Sequence, residues 1–263
     1  MEKWIAGLKN ADYNRKRKAM ENEKKKMRRI IMKIGIIGAM EEEVNLLKEK
    51  MEEVQVVKKA ALDFYTGKLA GKDVVIVRSG IGKVNAAICT QMLVDLFEVN
   101  CVVNTGIAGS LNAAIDIGDI VLSTDAVQHD MDAVAFGYEV GVIPRMDTSY
   151  FVADEKLRAL AKTVCEQVNP EISVHEGRVV TGDQFIADKA KKEWLVENFA
   201  GMCTEMEGAA IAHAAHNNGV PFLIIRAISD KADDSAEMDY PTFERMAIAH
   251  TVKLVHALVE QLA

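Results

Sequence analysis

Two carboxylates and a guanidinium, Glu207, Asp230 and Arg226, fall within the stretch TEMEGAAIAHAAHNNGVPFLIIRAISD, which runs from Thr204 to Asp230. Carboxyl groups gathered around a small polar molecule can take a proton from one atom and give one to another, with a guanidinium holding one of them charged. The same groups could equally form a structural ion pair, and the stretch alone leaves both readings open. A further acidic group comes from far upstream, where Glu41-Glu42-Glu43 follows an apolar segment. Acids at a helix start complement its dipole by about 0.3–1 kcal/mol each, which explains acidity there without saying which of the three is needed.

The elements that must position these groups follow from periodicity. Glu207 stands at the mouth of a small-residue helix stopped by Asn217-Asn218-Gly219. Pro221 to Ile225 is a continuous apolar run, as in a strand buried on both faces, and it delivers Arg226, Ser229 and Asp230 at its C-terminal end. Open α/β sheets bind ligands at that edge. Lys33 to Gly38 reads as a strand, followed by a helix from Met40 to Met51 with Val44, Leu47 and Met51 on one face. Asp73 to Ser79 is a second strand, then a helix with Val84, Ile88, Met92 and Leu96 spaced by four. Further strands are expected at Asn100 to Asn104, Gly118 to Thr124, Gly177 to Thr181 and Met202 to Glu205. Helices are expected at Asp154 to Val168, capped by Asp154, at Lys189 to Phe199 and at Thr242 to Ala263. Strands alternating with helices imply an α/β sandwich with a largely parallel central sheet.

Other motifs are weaker. Gly80-Ile81-Gly82-Lys83 is neither a Walker loop nor a dinucleotide fingerprint, since Val77, Val84 and Asn85 stand where those patterns need other residues. It remains a tight turn at a helix start, whose amides could be structural or could face an oxygen-rich ligand. His213 and His216 lack the intervening Glu of a zincin helix, and His129, Asp130 and Asp132 would need distant partners to close a metal shell, so no metal is expected. Asp230, Asp233, Asp234, Glu237 and Asp239 do not follow a calcium-loop pattern and read as a lid ahead of the last helix.

At 263 residues and 49% hydrophobic content the chain can bury one large core. Its net charge of −7 is uneven, because residues 1–31 carry 11 Lys/Arg against 4 Asp/Glu, leaving 21 against 35 in the remainder. The expectation is a basic, non-catalytic extension over 1–31 and a single acidic domain over 32–263. An acidic body argues against a nucleic-acid surface. Cys89, Cys101, Cys165 and Cys203 lie far apart with no CxxC pair, which fits a reducing compartment better than a zinc site or disulfide framework. No apolar run is long enough to span a membrane, and no signal-peptide h-region opens the chain, so a cytoplasmic protein is expected.

Eight segments in register, GIIGAMEEEV, SGIGKVNAA, NTGIAGSL, GDIVLS, HDMDAVAFGYEVG, TGDQFI, EMEGAAIAH and PFLIIRAISDKAD, resemble the bacterial methylthioadenosine/S-adenosylhomocysteine nucleosidases from Met32 to the C-terminus. The resemblance implies the nucleoside-phosphorylase fold, a three-layer αβα sandwich with a mixed, largely parallel sheet, in a homodimer that needs no cofactor. It also implies hydrolysis of the N-glycosidic bond of methylthioadenosine and S-adenosylhomocysteine to adenine and the thioribose, with 5′-deoxyadenosine as a further candidate substrate. By the same likeness Glu43 would activate water and Asp230 would protonate the purine at N7, oriented by Ser229. Glu207 with Met206 would hold the ribose hydroxyls beside Arg226. Phe185 would stack on adenine and the backbone of Ile186 would meet the base edge. Met40, Ile81 and Tyr240 would line the alkylthio pocket, with Phe136 and Pro144 reaching across the dimer. Ile107 and Ser110 depart from the family pattern, which leaves the backbone of Ala108 and Gly109 to approach the ligand.

Cleaving a sugar–purine bond builds positive charge on the ribose and negative charge on the base, a task for two carboxylates as in glycoside hydrolysis. Asp230 is expected to arrive protonated; raising a carboxyl from about 3.9 to near 7 costs roughly 4 kcal/mol. Glu207 is expected to stay ionised through Arg226. Two rivals stand beside this reading: a phosphate-dependent purine nucleoside phosphorylase, and a non-catalytic nucleoside-binding protein on the same fold. Three glutamates after the first strand disfavour an anion, and a binding protein would be expected to lack Glu43 or Asp230.

Overall fold

The computed structural model describes residues 32–232 and 236–262, with the side chains of residues 236–241 outside the description. Strands β1 (Lys33–Gly38), β4 (Lys72–Arg78) and β5 (Cys101–Ser110) are apolar runs that pair in parallel around β1. Beyond β4 the sheet continues antiparallel through β3 (Leu62–Leu69) to β2 (Glu52–Lys59). On the other side β5 pairs with both β9 (Cys203–Glu205) and β10 (Phe222–Asp230). The path β10, β6 (Ile120–Gln128), β8 (Val174–Thr181), β9 therefore returns to β5 and closes a ring of five strands. A two-residue strand, β7 (Phe151–Val152), pairs with β6. Parallel and antiparallel pairs are mixed, and helices lie on both sides of the sheet, as expected for a nucleoside-phosphorylase-like α/β fold.

The helices are α1 (Glu41–Lys48), α2 (Lys83–Phe97), α3 (Glu155–Val168), α4 (Lys189–Phe199), α5 (Gly208–Asn217) and α6 (Ala236–Gln261). Asp154 caps α3 as expected, accepting from the Leu157 amide at 2.9 Å. α6 packs on β10 and β5, and α2 on α5, so both flank the strands that carry the acidic groups.

Four sequence expectations are corrected. The β2–β3 hairpin is absent from the expected elements, because β2 is almost wholly exposed and its turn residues, Ala60 and Ala61, adopt positive φ (47° and 61°) without the Gly or Asn such turns favour. β5 runs on through Thr105-Gly106-Ile107-Ala108-Gly109 to Ser110, fully buried, well past the expected end at Asn104. The buried face of α2 is Ala86, Cys89, Thr90, Leu93 and Phe97, leaving Val84 69%, Ile88 49% and Leu96 53% exposed. The last helix begins at Ala236, so Glu237 and Asp239 belong to it instead of a lid, while Asp233 and Asp234 lie outside the described residues.

Candidate active site

The end of β1 separates the three glutamates by burial. Glu41 and Glu42 are exposed, but Glu43, third in α1, folds back over the start of its own helix and is 2% exposed. Its Oε2 accepts from the amides of Ala39 at 2.6 Å and Met40 at 3.0 Å, in the manner of one half of a capping box, and its Oε1 accepts from Ile107 at 3.2 Å. The carboxylate thereby ties β1 to β5. Gly106 is required beneath it, since a Cβ there would collide with Arg226 Nη1 and Glu43 Oε1.

Asp230 closes β10 beside Gly109, where the register shifts after Ile228. Its Oδ2 accepts from Ser229 Oγ at 2.8 Å and its Oδ1 from the Ala232 amide at 2.8 Å. A Cβ on Gly109 would stand 2.7 Å from Asp230 Oδ1 and 2.8 Å from Ala232 Cβ, so the two strands approach this closely only with glycine.

Arg226, within β10, is buried. Its Nη2 donates to Asn104 Oδ1 at 2.6 Å and, more closely still, to Glu205 Oε2, while its Nη1 reaches Ile107 O at 3.4 Å. Glu207 lies farther away, at 3.7 Å. The principal partner of Arg226 is therefore Glu205, a residue the sequence reading leaves without a role. Glu205 also accepts from the Thr181 hydroxyl and from the amides of Glu207 (3.1 Å) and Gly208 (2.7 Å), so it serves as the hub of the strand–helix junction. The alternation Thr204-Glu205-Met206-Glu207 is the available signal, since residues two apart face the same way in extended chain.

The electrostatics follow from this division. Burial opposes the charge on Arg226, but Glu205, Glu207 and Glu43 outweigh it and raise its pKa. Burial raises the pKa of Glu43, against the pull of Arg226 and the three amides. Glu207 is pushed up to about 7 by burial and then by Glu205, with Arg226 opposing. The expectation that Arg226 holds Glu207 ionised is thus corrected: near neutrality Glu207 is poised between its two forms. Its Oε1 accepts from the Gly82 amide at 2.8 Å, which answers the question left open by the Gly80–Lys83 turn. That turn's amides face protein carboxylates, Gly82 toward Glu207 and Lys83 toward Asp183 at 2.8 Å.

Glu43, Glu207, Arg226, Ser229 and Asp230 line one cavity of about 570 Å³, together with Met40, Ile81, Ala108, Gly109, Phe185 and Met206, all of them candidates by sequence. Ala39, Ile107, Thr204 and Glu205 complete the wall, and the sequence gives none of their side chains a part in the site. Phe185 is half exposed at the rim; Ile186 is buried and borders a small adjoining recess shared with Gly109, Phe185, Met206 and Asp230. Phe136, in a short 3-10 turn (Val134–Phe136), is 85% exposed, and neither it nor Pro144 borders the cavity within this chain. The Tyr240 side chain lies outside the described residues. His213 stacks on Phe151 with ring centroids 4.6 Å apart, and Asp130 is engaged by Lys83 at 2.5 Å. Among the described residues no group of three or more His, Cys, Asp or Glu could hold a metal ion.

Comparison with known proteins matches residues 33–260 to the model of the phosphorylase superfamily. A 5′-methylthioadenosine/S-adenosylhomocysteine nucleosidase of Exiguobacterium sp. is 45% identical over 88% of this chain and 99% of its own length. The crystal structure of the nucleosidase of that name from Neisseria meningitidis, in complex with methylthio-immucillin-A, superposes with a TM-score of 0.85 at 39% identity, over 88% of this chain and 100% of that one. Its counterpart from Colwellia psychrerythraea, in complex with adenine, does so with a TM-score of 0.84 at 42% identity, over 88% and 96%. With its sheet, its buried acidic cavity and these likenesses taken together, the chain belongs to the 5′-methylthioadenosine/S-adenosylhomocysteine nucleosidases of the phosphorylase superfamily.

Proposed function

We propose that the chain is an N-glycosyl hydrolase that splits 5′-methylthioadenosine and S-adenosylhomocysteine into adenine and the thioribose, with Glu43 and Asp230 as its catalytic pair. The observation that carries this reading is that both carboxyl groups line one cavity in which, among the described residues, Arg226 is the only cation and is already held by Glu205 and Asn104. In the reaction the C1′–N9 bond breaks with its electron pair passing to the base. Asp230 gives a proton to N7, Glu43 takes one from water, and the water oxygen bonds to C1′. Glu207 accepts hydrogen bonds from the ribose hydroxyls, Phe185 stacks on the base and the backbone of Ile186 meets its edge. A phosphate ion in the same place would face Glu43, Glu205 and Glu207 with no free guanidinium to neutralise it, which disfavours the phosphorylase alternative. Adenine release from 5′-methylthioadenosine in phosphate-free buffer tests the reading, and a strict requirement for phosphate would overturn it.

The poise of Glu207 yields a second expectation. Ribose hydroxyls that donate to its carboxylate favour the ionised form, so nucleoside binding near pH 7 releases protons from a Glu207 whose pKa burial and Glu205 have raised. Calorimetric titration of a non-hydrolysable nucleoside in buffers of different ionisation enthalpy measures this directly. The release disappears in Glu207→Gln; the same release in that variant would mean that another group titrates.

We further read residues 32–263 as the nucleosidase domain, residues 1–31 as an extension outside it, and the active form as a homodimer. Support for the dimer comes from Val84, Ile88, Val134 and Phe136, large apolar side chains that stand exposed on this chain. Phe136 and Pro144 would then complete the partner's alkylthio pocket. The buried thiols of Cys89, Cys101, Cys165 and Cys203 are free, in keeping with a cytoplasmic location. Among the described residues no helix is long and apolar enough to cross a membrane.

A further inference from the structure

Three residues that do not border the cavity form a closed ring just behind its rim. Asp130, two residues past β6, accepts from Lys83 Nζ through Oδ1 at 2.5 Å and from the Asp183 amide through Oδ2 at 3.0 Å. Asp183 returns the contact, its Oδ1 accepting from the Lys83 amide at 2.8 Å. Gln128, the last residue of β6, steadies the lysine, its Oε1 accepting from Nζ at 3.2 Å. The ring thus spans three separate segments, the Gly80–Lys83 turn, the end of β6 and the loop from Asp183 to Ile186.

The two segments it joins to β6 are those that present the rim of the site. Ile81 precedes Lys83 by two residues, and the intervening Gly82 amide is the donor to Glu207 Oε1. Phe185 and Ile186 follow Asp183 closely in the chain. A displacement at the ring would move the support of Glu207 on one side and the flat face of Phe185 on the other. Lys83 and Asp130 are partly sheltered, at 18% and 19% side-chain exposure, so their attraction is less screened than that of a surface pair. Burial works against the charge of Asp130, but Lys83 and the Asp183 amide prevail and hold it below its ordinary pKa, so Asp130 stays charged across neutral pH.

We propose that Asp130 is a positioning residue for the hydrolysis: with Lys83 and Asp183 it clamps the Ile81 turn to the Phe185 loop and sets the spacing between the groups that grip the ribose and the base. A purely stabilising ion pair at this place would support the start of α2 and leave substrate affinity alone. The inference rests on the substrate reading given above, in that Glu207 and Phe185 are taken to contact the nucleoside.

The test compares Asp130→Asn, Lys83→Met and Asp183→Ala with the wild-type chain in steady-state kinetics on 5′-methylthioadenosine and in direct binding of adenine. Asn at 130 has one oxygen and must set amide hydrogens against either the Lys83 ammonium or the Asp183 N–H, so the ring opens. KM is expected to rise about tenfold and adenine to bind about tenfold more weakly, a loss typical of a sub-ångström misplacement, while kcat changes less than about threefold and its pH profile keeps its shape. Asp183→Asn retains an acceptor for the Lys83 amide and should stay near wild type. The Lys83→Met/Asp130→Asn double variant should be no worse than the worse single variant, because either change alone breaks the ring. Unchanged KM and adenine affinity with a lowered Tm would reduce the ring to a structural role and overturn the proposal, as would fully additive losses or a displaced pH profile. Adenine affinity does not depend on turnover, so a wild-type chain that fails to hydrolyse the nucleoside would refute the substrate reading while the clamp is still judged by binding.

Discussion

Asp230→Asn lowers adenine release by about 10²–10⁴-fold while leaving the fold in place, and Glu43→Gln does the same for a different reason. Asparagine preserves the shape of Asp230 and one acceptor for Ser229 Oγ or the Ala232 amide, but it has no proton to transfer to a leaving purine. Without that transfer the electron pair from the broken bond stays on an anionic base, a poor leaving group. At Glu43 the change removes the group that takes a proton from water. It also turns an amide NH₂ toward the N–H groups of Ala39 and Met40 or that of Ile107, which the carboxylate accepted. Glu43→Gln should therefore lower Tm as well as rate, whereas Asp230→Asn should lower rate alone. Single-turnover adenine release alongside thermal unfolding separates the two, and undiminished turnover in either variant would remove that residue from its role.

The second large effect is on stability. Arg226→Met leaves Glu43, Glu205 and Glu207 facing one another in a buried site with no cation, and loss of one member of such a cluster costs about 3–5 kcal/mol. The loss should depend on pH with a definite sign. Glu43 and Glu207 already have folded pKa values above their unfolded ones, so each contributes stability below its unfolded pKa that is lost as pH rises through the folded value. Removing the guanidinium raises both further, and the deficit of Arg226→Met accordingly shrinks toward pH 5 and is greatest above pH 7. Adding Glu205→Gln removes a negative charge and should recover part of the loss. Urea unfolding at pH 5 and pH 8 measures both effects; a deficit below about 1 kcal/mol, or one indifferent to Glu205→Gln, would show that the carboxylates are not held by this arginine.

How much of the fold and the site is legible in the sequence depends on which physical signal each feature leaves there. Buried parallel strands announce themselves by apolar runs, so β1, β4 and β10 are readable, and α4 agrees at both ends, with its start capped by the Asp188 side chain. Placement of Glu43 and Asp230 at one sheet edge follows from the rule that parallel sheets bind ligands at their C-terminal edge, since they follow or close the parallel strands β1 and β10. The features that stay hidden have no local signature. Two alanines at positive φ make the β2–β3 turn, a conformation held by the sheet and not by those residues' own preference. In β5 the glycines serve close approach, Gly106 beneath Glu43 and Arg226 and Gly109 against Asp230, and sequence alone cannot tell that use from a turn. Choosing Glu205 over Glu207 as the partner of Arg226 needs distances, since both acids point the same way. On α2 the stripe Val84, Ile88 and Leu96 is apolar yet outward, and periodicity reports which residues share a face, never what covers that face.

The most direct test of hydrolysis at this site follows the origin of the oxygen that ends on C1 of the sugar. Turnover of 5′-methylthioadenosine in ¹⁸O-labelled water with inorganic phosphate present should place one labelled oxygen at C1 of the free thioribose, at a rate indifferent to phosphate and lowered about 10²–10⁴-fold in Asp230→Asn. Formation of the sugar 1-phosphate, or a sugar product that acquires no label during bond cleavage, would contradict hydrolysis between Glu43 and Asp230.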